Sequence, residues 1–156
     1  MKLRVISLGK VKQSFVLDGE HEYTKRIRQW LPIELLELSN DKFSSMPEPT
    51  MKEKEGELFH SSVGKSDVVI VLDERGKNLT SEQFAQLFRA KMNEGVKSID
   101  FGIGGAYGWS DDVRKGASLV LSLSPMTFTY QMTRLILIEQ IYRALSLVKG
   151  VPYHKS

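Results

Sequence analysis

Residues 67–72 read Asp-Val-Val-Ile-Val-Leu, a run that is apolar at five consecutive positions. A strand with one wet face would alternate; this run predicts a strand covered on both faces, as in a parallel sheet held between helices. Working outward, strand-like segments recur at residues 2–8, 33–38, 98–103 and 118–123. Helical patterns lie between them. One runs from Ser14 to Trp30 and another from Met51 to Ser61. A third is capped by Thr80 with Gln83 three residues on and is stopped by Gly95. A short helix spans Ser110 to Gly116, and the longest runs from Tyr130 to Val148, stopped by Gly150 with Pro152 beyond it. Strands alternating with helices predict βαβ crossovers: one α/β domain over residues 1–156 with a mainly parallel sheet flanked by helices. Residues 41–50 are polar with two prolines and predict a mobile loop.

A chain of 156 residues, 41% hydrophobic and 26% charged, has the composition of a folded domain of ordinary size. It has no cysteine, which excludes disulfides, thiolate metal sites and a cysteine nucleophile. No apolar run approaches the ~20 residues needed to span a bilayer, and no signal-peptide core follows Met1. A soluble, cytoplasmic protein without membrane contact is expected. The net charge of +3 is unevenly placed: Arg134, Arg143, Lys149 and Lys155 face only Glu139 after residue 129, so the whole excess sits at the C-terminal end. That field suits an anionic partner.

The last helix carries two apolar stripes, Leu135, Ile138, Tyr142 and Leu145 on one and Leu137, Ile141, Ala144 and Val148 on the other. A helix apolar over most of its circumference needs two partners. In a domain this small its own sheet can cover one stripe and a second subunit the other, so a two-fold homodimer is expected; the alternative is that both stripes are buried within one subunit.

Ligands in parallel α/β folds gather at loops following the carboxyl ends of strands. Three such loops stand out: Leu72 to Lys77, Ile103 to Gly108, and Leu123 to Phe128. The glycines of the second permit close approach of backbone to a ligand, but their spacing matches neither a dinucleotide fingerprint nor a P-loop. The third loop, apolar and containing Pro125, can wrap a planar apolar group while offering backbone amides and carbonyls. His21, His60 and His154 have no metal-like spacing, so no metal is assigned. His154 alone has suggestive company, in Pro152-Tyr153-His154-Lys155 near Arg143 on the polar strip of the last helix.

At these residues the sequence resembles the RlmH family, SPOUT-class methyltransferases of large-subunit ribosomal RNA. The likeness is carried by Val5-Ile6-Ser7-Leu8-Gly9-Lys10, Lys52-Glu53-Lys54-Glu55-Gly56, Leu72-Asp73 with Gly76-Lys77, Ile103-Gly104-Gly105, Leu121 to Ser124, Met126-Thr127-Phe128, Gln131-Met132 with Arg134, Leu137 to Ala144, and Tyr153-His154-Lys155. It implies a homodimer with a C-terminal trefoil knot, S-adenosylmethionine as cofactor, and methylation at N3 of a pseudouridine in 23S rRNA on the ribosome. By position it implies cofactor contacts from Leu72, Gly104, Leu123, Ser124, Pro125, Met126, Thr127 and Phe128. It places Arg143, Tyr153 and His154 in target binding and catalysis. The chain departs from the family in carrying Thr129-Tyr130 where Pro-His is usual, and Ala106 where the glycine loop usually has a polar residue or proline. The alternative function is a non-catalytic nucleotide- or RNA-binding module using the same pocket.

Overall fold

The computed structural model describes residues 1–155. In chain order the elements are β1 (Lys2–Leu8), α1 (Ser14–Ile27), β2 (Ile33–Leu38), α2 (Glu48–Val63), β3 (Val68–Asn78), α3 (Ser81–Asn93), β4 (Ser98–Ile103), α4 (Asp111–Gly116), β5 (Leu119–Ser122) and α5 (Tyr130–Lys149). The strands form one sheet in the order β2-β1-β4-β3-β5, parallel at every pairing. Alternate residues feed opposite faces. Leu3 and Val5 of β1, Val68, Ile70 and Leu72 of β3, and Ile99, Phe101 and Ile103 of β4 join the core beneath α1, α3 and α5. Ile6, Leu8 and Val71 join a second core with Phe59 of α2 and Val113 of α4, around the fully buried Trp109. That two-sided cover is why residues 68–72 carry no polar alternate. Gly102 marks the tightest point on the second face: a Cβ there would come within 2.5 Å of the Phe59 ring.

Three expectations need correction. Residues 41–50 are not simply a loop. Asp41–Phe43 form a 3-10 turn that buries Phe43, and α2 begins at Glu48, with Pro47 before it and Pro49 in its first turn, where proline fits a helix. The two prolines therefore start a helix. Secondly, β3 does not end at Leu72. Residues Asp73 to Gly76 leave the ladder and Lys77–Asn78 rejoin it beside Leu121 and Ser122, Gly76 passing so close to Val120 that an added Cβ would sit 2.6 Å from its carbonyl oxygen.

The stripe argument for a second subunit is also corrected. Leu137, Ile138, Ile141, Tyr142, Ala144 and Leu145 are all buried within one chain, because α1 and α3 clasp α5 from either side of the sheet-facing line. Gly19 makes room for α5; a Cβ there would lie 2.8 Å from Leu135.

Candidate active site

The three loops converge on one cleft of about 240 Å³. Its walls are Leu72 at the break in β3, Ile103 and Gly104 at the end of β4, Leu121 in β5, and Leu123, Ser124, Met126, Thr127 and Phe128 from the loop before α5. Seven of the eight expected cofactor residues therefore meet in one place, and Pro125 is the one that does not line it. Gly104 is buried, and a Cβ there would come to 3.0 Å from the carbonyl carbon of Gly108. The loop is folded on itself by the amide of Gly108 donating to the carbonyl of Gly105 at 3.0 Å, with Gly108 at φ +75°. The Leu123–Phe128 loop is shaped by small polar groups. Ser122 donates to the Ser124 carbonyl at 2.9 Å, and the Met126 amide donates to Ser124 Oγ at 3.0 Å. Thr129 caps α5 and Tyr130 donates to the Lys10 carbonyl at 2.7 Å, so the residues that replace Pro-His anchor the helix against the end of β1.

Asp73, Glu74, Arg75 and Tyr107, all within the loops singled out from the sequence, also line the cleft, and so do Tyr130 and Thr133 of α5, which lie outside those loops and which sequence reasoning missed. The Asp73-Glu74 pair is too common a sequence feature to read as catalytic. Thr127 donates to Glu74 at 2.5 Å, joining two of the three loops. Burial alone would push the Asp73 carboxyl up, but the hydrogen bonds from Arg75, with Arg114 nearby, prevail and hold it below the usual range.

Glu55 backs the glycine loop from α2. It is 1% exposed; Oε2 accepts from Asn40 at 2.7 Å, Oε1 has no partner, and both oxygens occupy the space that a Cβ on Gly105 would need. Burial pushes its carboxyl up, the Asn40 hydrogen bond offsetting only part of that, and no cation pairs with it among the described residues. A raised acid binds its proton more tightly in the folded chain, so stability falls as pH rises through and above the ordinary glutamate range. Glu55→Gln, neutral and of equal shape, is expected to melt higher than wild type at pH about 8, with the gap closing near pH about 4. A gap that stays constant across that range in thermal unfolding would contradict this assignment.

Arg143, Tyr153 and His154 also come together, but elsewhere. Arg143 donates from Nε to Glu139 at 3.1 Å and lies over the Tyr153 ring at 4.9 Å. Tyr153 bonds to Glu139 at 3.0 Å and to the Tyr23 hydroxyl at 3.3 Å. Burial, then those two hydrogen bonds, push its phenol well above the usual range, so it stays a donor. His154 sits with Nε2 2.8 Å from Glu82 and Nδ1 3.3 Å from Arg143. Arginine only donates, so Nδ1 accepts and the Nε2 proton points at Glu82. None of the three lines the cleft. Thr133 does, and Arg143 lies ten residues further along α5, about 15 Å at 1.5 Å per residue. Within one chain the cleft and the tail are separate sites.

Among the described residues no helix is long and apolar enough to cross a membrane, and no group of histidines and carboxylates could hold a metal.

A family model described as "Predicted SPOUT methyltransferase" matches residues 1–154. The chain is 42% identical over 154 residues to a protein of Trichlorobacter lovleyi, and 40% identical over 154 residues to one of Cytophaga hutchinsonii. Both are named ribosomal RNA large subunit methyltransferase H, and the match covers 99% of each chain. The fold is similar to a probable methyltransferase from Bordetella pertussis, with a TM-score of 0.59 at 12% identity over 92% of this chain and 96% of that one. It is similar too to a tRNA methyltransferase from Aquifex aeolicus, with a TM-score of 0.59 at 17% identity over 100% of this chain and 76% of that one. With its parallel sheet, its loop-built cleft and full-length relatives at this identity, the chain belongs to the SPOUT methyltransferases, within the ribosomal RNA large subunit methyltransferase H family.

Proposed function

We propose that this protein is an S-adenosylmethionine-dependent methyltransferase of 23S rRNA that acts as a homodimer at N3 of a pseudouridine on the assembled ribosome. The observation that supports the proposal is the separation just described: the cleft and the Arg143–Tyr153–His154 cluster are distinct places in one chain, Arg143 lying about 15 Å along α5 from Thr133 of the cleft wall. A second copy that sets its tail against the first copy's cleft resolves the separation. Exposed apolar side chains ring that region in the form of Tyr107 (52% exposed), Met126 (73%) and Phe128 (37%), with Phe15 (56%) on the neighbouring start of α1. Gln131 ties that start to α5 by accepting from the amides of Lys12 and Gln13 at 3.0 Å. An apolar rim around a site is the usual mark of a protein interface.

The cleft fits a nucleoside-containing donor. Leu72, Ile103, Leu121, Leu123 and Phe128 offer apolar walls for a purine, and the glycine loop leaves room where a Cβ would intrude. When bound, S-adenosylmethionine supplies an electrophilic methyl group on a cationic sulfur. Transfer to N3 would form a C–N bond as the C–S bond breaks with its electron pair left on sulfur, and the N3 proton would have to be taken up by the protein. The cleft walls exclude water from this charge-neutralising step and fix its alignment. Arg143 would bind a phosphate or a carbonyl of the target base. Tyr153, kept protonated, donates a hydrogen bond to the base, while the lone pair of His154 Nδ1, now engaged by Arg143, is free to take the N3 proton once the target displaces that contact.

Incubating the protein with methyl-labelled S-adenosylmethionine and ribosomes lacking the modification tests the reading. Label is expected in 23S rRNA, at N3 of a pseudouridine, from assembled particles and far less from naked RNA. Donor binding without any transfer would leave only a non-catalytic module.

A further inference from the structure

Beyond the catalytic tail, an aromatic path leads outward. Tyr153 meets Tyr142 edge-on at 4.6 Å, and Tyr142 carries Trp30 stacked on it at 5.5 Å with the rings only 4° from parallel. Arg26 lies over both Tyr142 and Tyr23, at 5.5 and 5.8 Å, which stiffens the inner part of the path. Trp30 is half-buried, in the turn between α1 and β2, and stands at a hollow completed by Arg28, Leu31, Pro32 and Ile33. Arg28 is tethered there by donating to the Ile33 carbonyl at 3.3 Å. The carboxylates nearby are already engaged: Glu22 by Arg26 at 2.7 Å, Glu34 by Lys2 at 3.0 Å, and Glu139 by Arg143. Arg28 and the exposed Lys25 have no carboxylate partner among the described residues.

An aromatic face fixed from behind, beside a planar guanidinium and uncompensated positive charge, is the chemistry that takes an unpaired nucleotide: the base stacks, and the phosphate meets the cations. We infer that Trp30 and Arg28 form a stacking platform for an unpaired RNA base next to the target nucleotide, an inference that rests on the RNA-directed reading above. Two ring-to-ring steps separate Trp30 from Tyr153, a span matched by two or three stacked nucleotides at about 3.4 Å each. The platform would thus hold a near neighbour of the target and keep the strand from sliding past the tail.

The chain has two tryptophans, and the other, Trp109, is 0% exposed, so RNA that quenches indole emission reports on Trp30. The probe is a single-stranded RNA decamer, compared with an abasic decamer of the same charge. The decamer is expected to quench the wild-type protein and the abasic strand to leave emission unchanged. Trp30→Ala should weaken decamer binding about tenfold or more, and Trp30→Phe should hold it within about threefold of wild type. Calorimetry with S-adenosylmethionine is expected to give both variants wild-type donor affinity, which separates a lost platform from a lost fold. Equal quenching by the abasic strand, or an unaltered affinity in a folded Trp30→Ala protein, would overturn the assignment. Quenching by the decamer alongside absent methyl transfer from wild type would sink the catalytic reading and leave the platform standing.

Discussion

A His154→Ala chain and a Gly104→Leu chain, each inactive as its own homodimer, recover methyl transfer when they are co-expressed and purified as mixed dimers. The first variant keeps a sound cleft and lacks the proton acceptor proposed for the tail. The second keeps the tail, but its leucine fills the space where even a Cβ would come within 3.0 Å of Gly108. If each site takes its cleft from one copy and its tail from the other, a mixed dimer contains one whole site and one doubly defective one. A randomly assorted population then has about a quarter of wild-type activity. Alone, His154→Ala is expected to lower turnover by about two to four powers of ten with donor affinity unchanged, the usual range for a proton-transfer group. A mixture that forms dimers yet stays as inactive as its components would refute the shared site.

The structure gives a reason for expecting complementation. The tail is not a loose segment that could swing back along its own helix. Arg143 is fixed by Glu139, Tyr153 is wedged against Tyr142, and His154 is bridged to Glu82 at the start of α3. None of those partners lines the cleft. Reaching the cleft within one chain would mean breaking all three contacts and reversing the path after Gly150.

What could be read in the sequence follows from how local the determining physics is. The parallel sheet was legible because residues 67–72 must be covered on both sides, a property of each side chain in turn. The cap at Thr80 was legible because its box closes within four residues. Residues 41–50 were misread because two prolines signal either a break or a helix start, and the burial of Phe43 in a 3-10 turn that packs on α2 is a tertiary property. The loop from Leu72 to Lys77 was legible as a ligand loop because it follows a strand, but the return of β3 at Lys77–Asn78 depends on Val120 and Leu121, far along the chain, and no local pattern announces it. The apolar circumference of α5 was correctly seen and its cover wrongly assigned: helical periodicity counts the faces to be buried but does not say that α1 and α3, more than a hundred and about fifty residues away, supply the cover. The roles of Arg143, Tyr153 and His154 came from family resemblance alone; spacing would have left them on a helix strip and a short tail. The knot implied by that resemblance concerns which loop passes through which, and no periodicity encodes it.

Arg134→Met is expected to be among the most destabilising single changes in the chain, costing about 3–5 kcal/mol. Arg134 is 3% exposed. It donates through Nε and Nη2 to Glu20 Oε2 at 3.0 and 2.8 Å, and through Nη1 to Ser7 Oγ and Glu37 Oε1 at 3.1 Å each. One guanidinium thus pins α5 to α1, β1 and β2 one residue after Thr133 of the cleft wall. Methionine fills much the same volume, so the loss is not chiefly a cavity; it is the stranding of Glu20, a buried carboxylate whose Oε1 already lacks a partner. Two measurements separate stranded charge from poor packing. Adding Glu20→Met to Arg134→Met is expected to restore much of the lost stability in urea unfolding at fixed protein concentration, whereas a packing defect would grow worse with a second substitution. The pH dependence gives the second. Burial pushes the Glu20 carboxyl up and the hydrogen bonds from Arg134 oppose it. Without the arginine only the upward push remains, so the folded variant holds the Glu20 proton more tightly than the unfolded chain does. Its deficit relative to wild type should then shrink as pH falls through the carboxyl range, because protonating Glu20 removes the charge that has no partner. A deficit that is the same in mild acid as at neutral pH would mean that Arg134 acts through its shape rather than its charge.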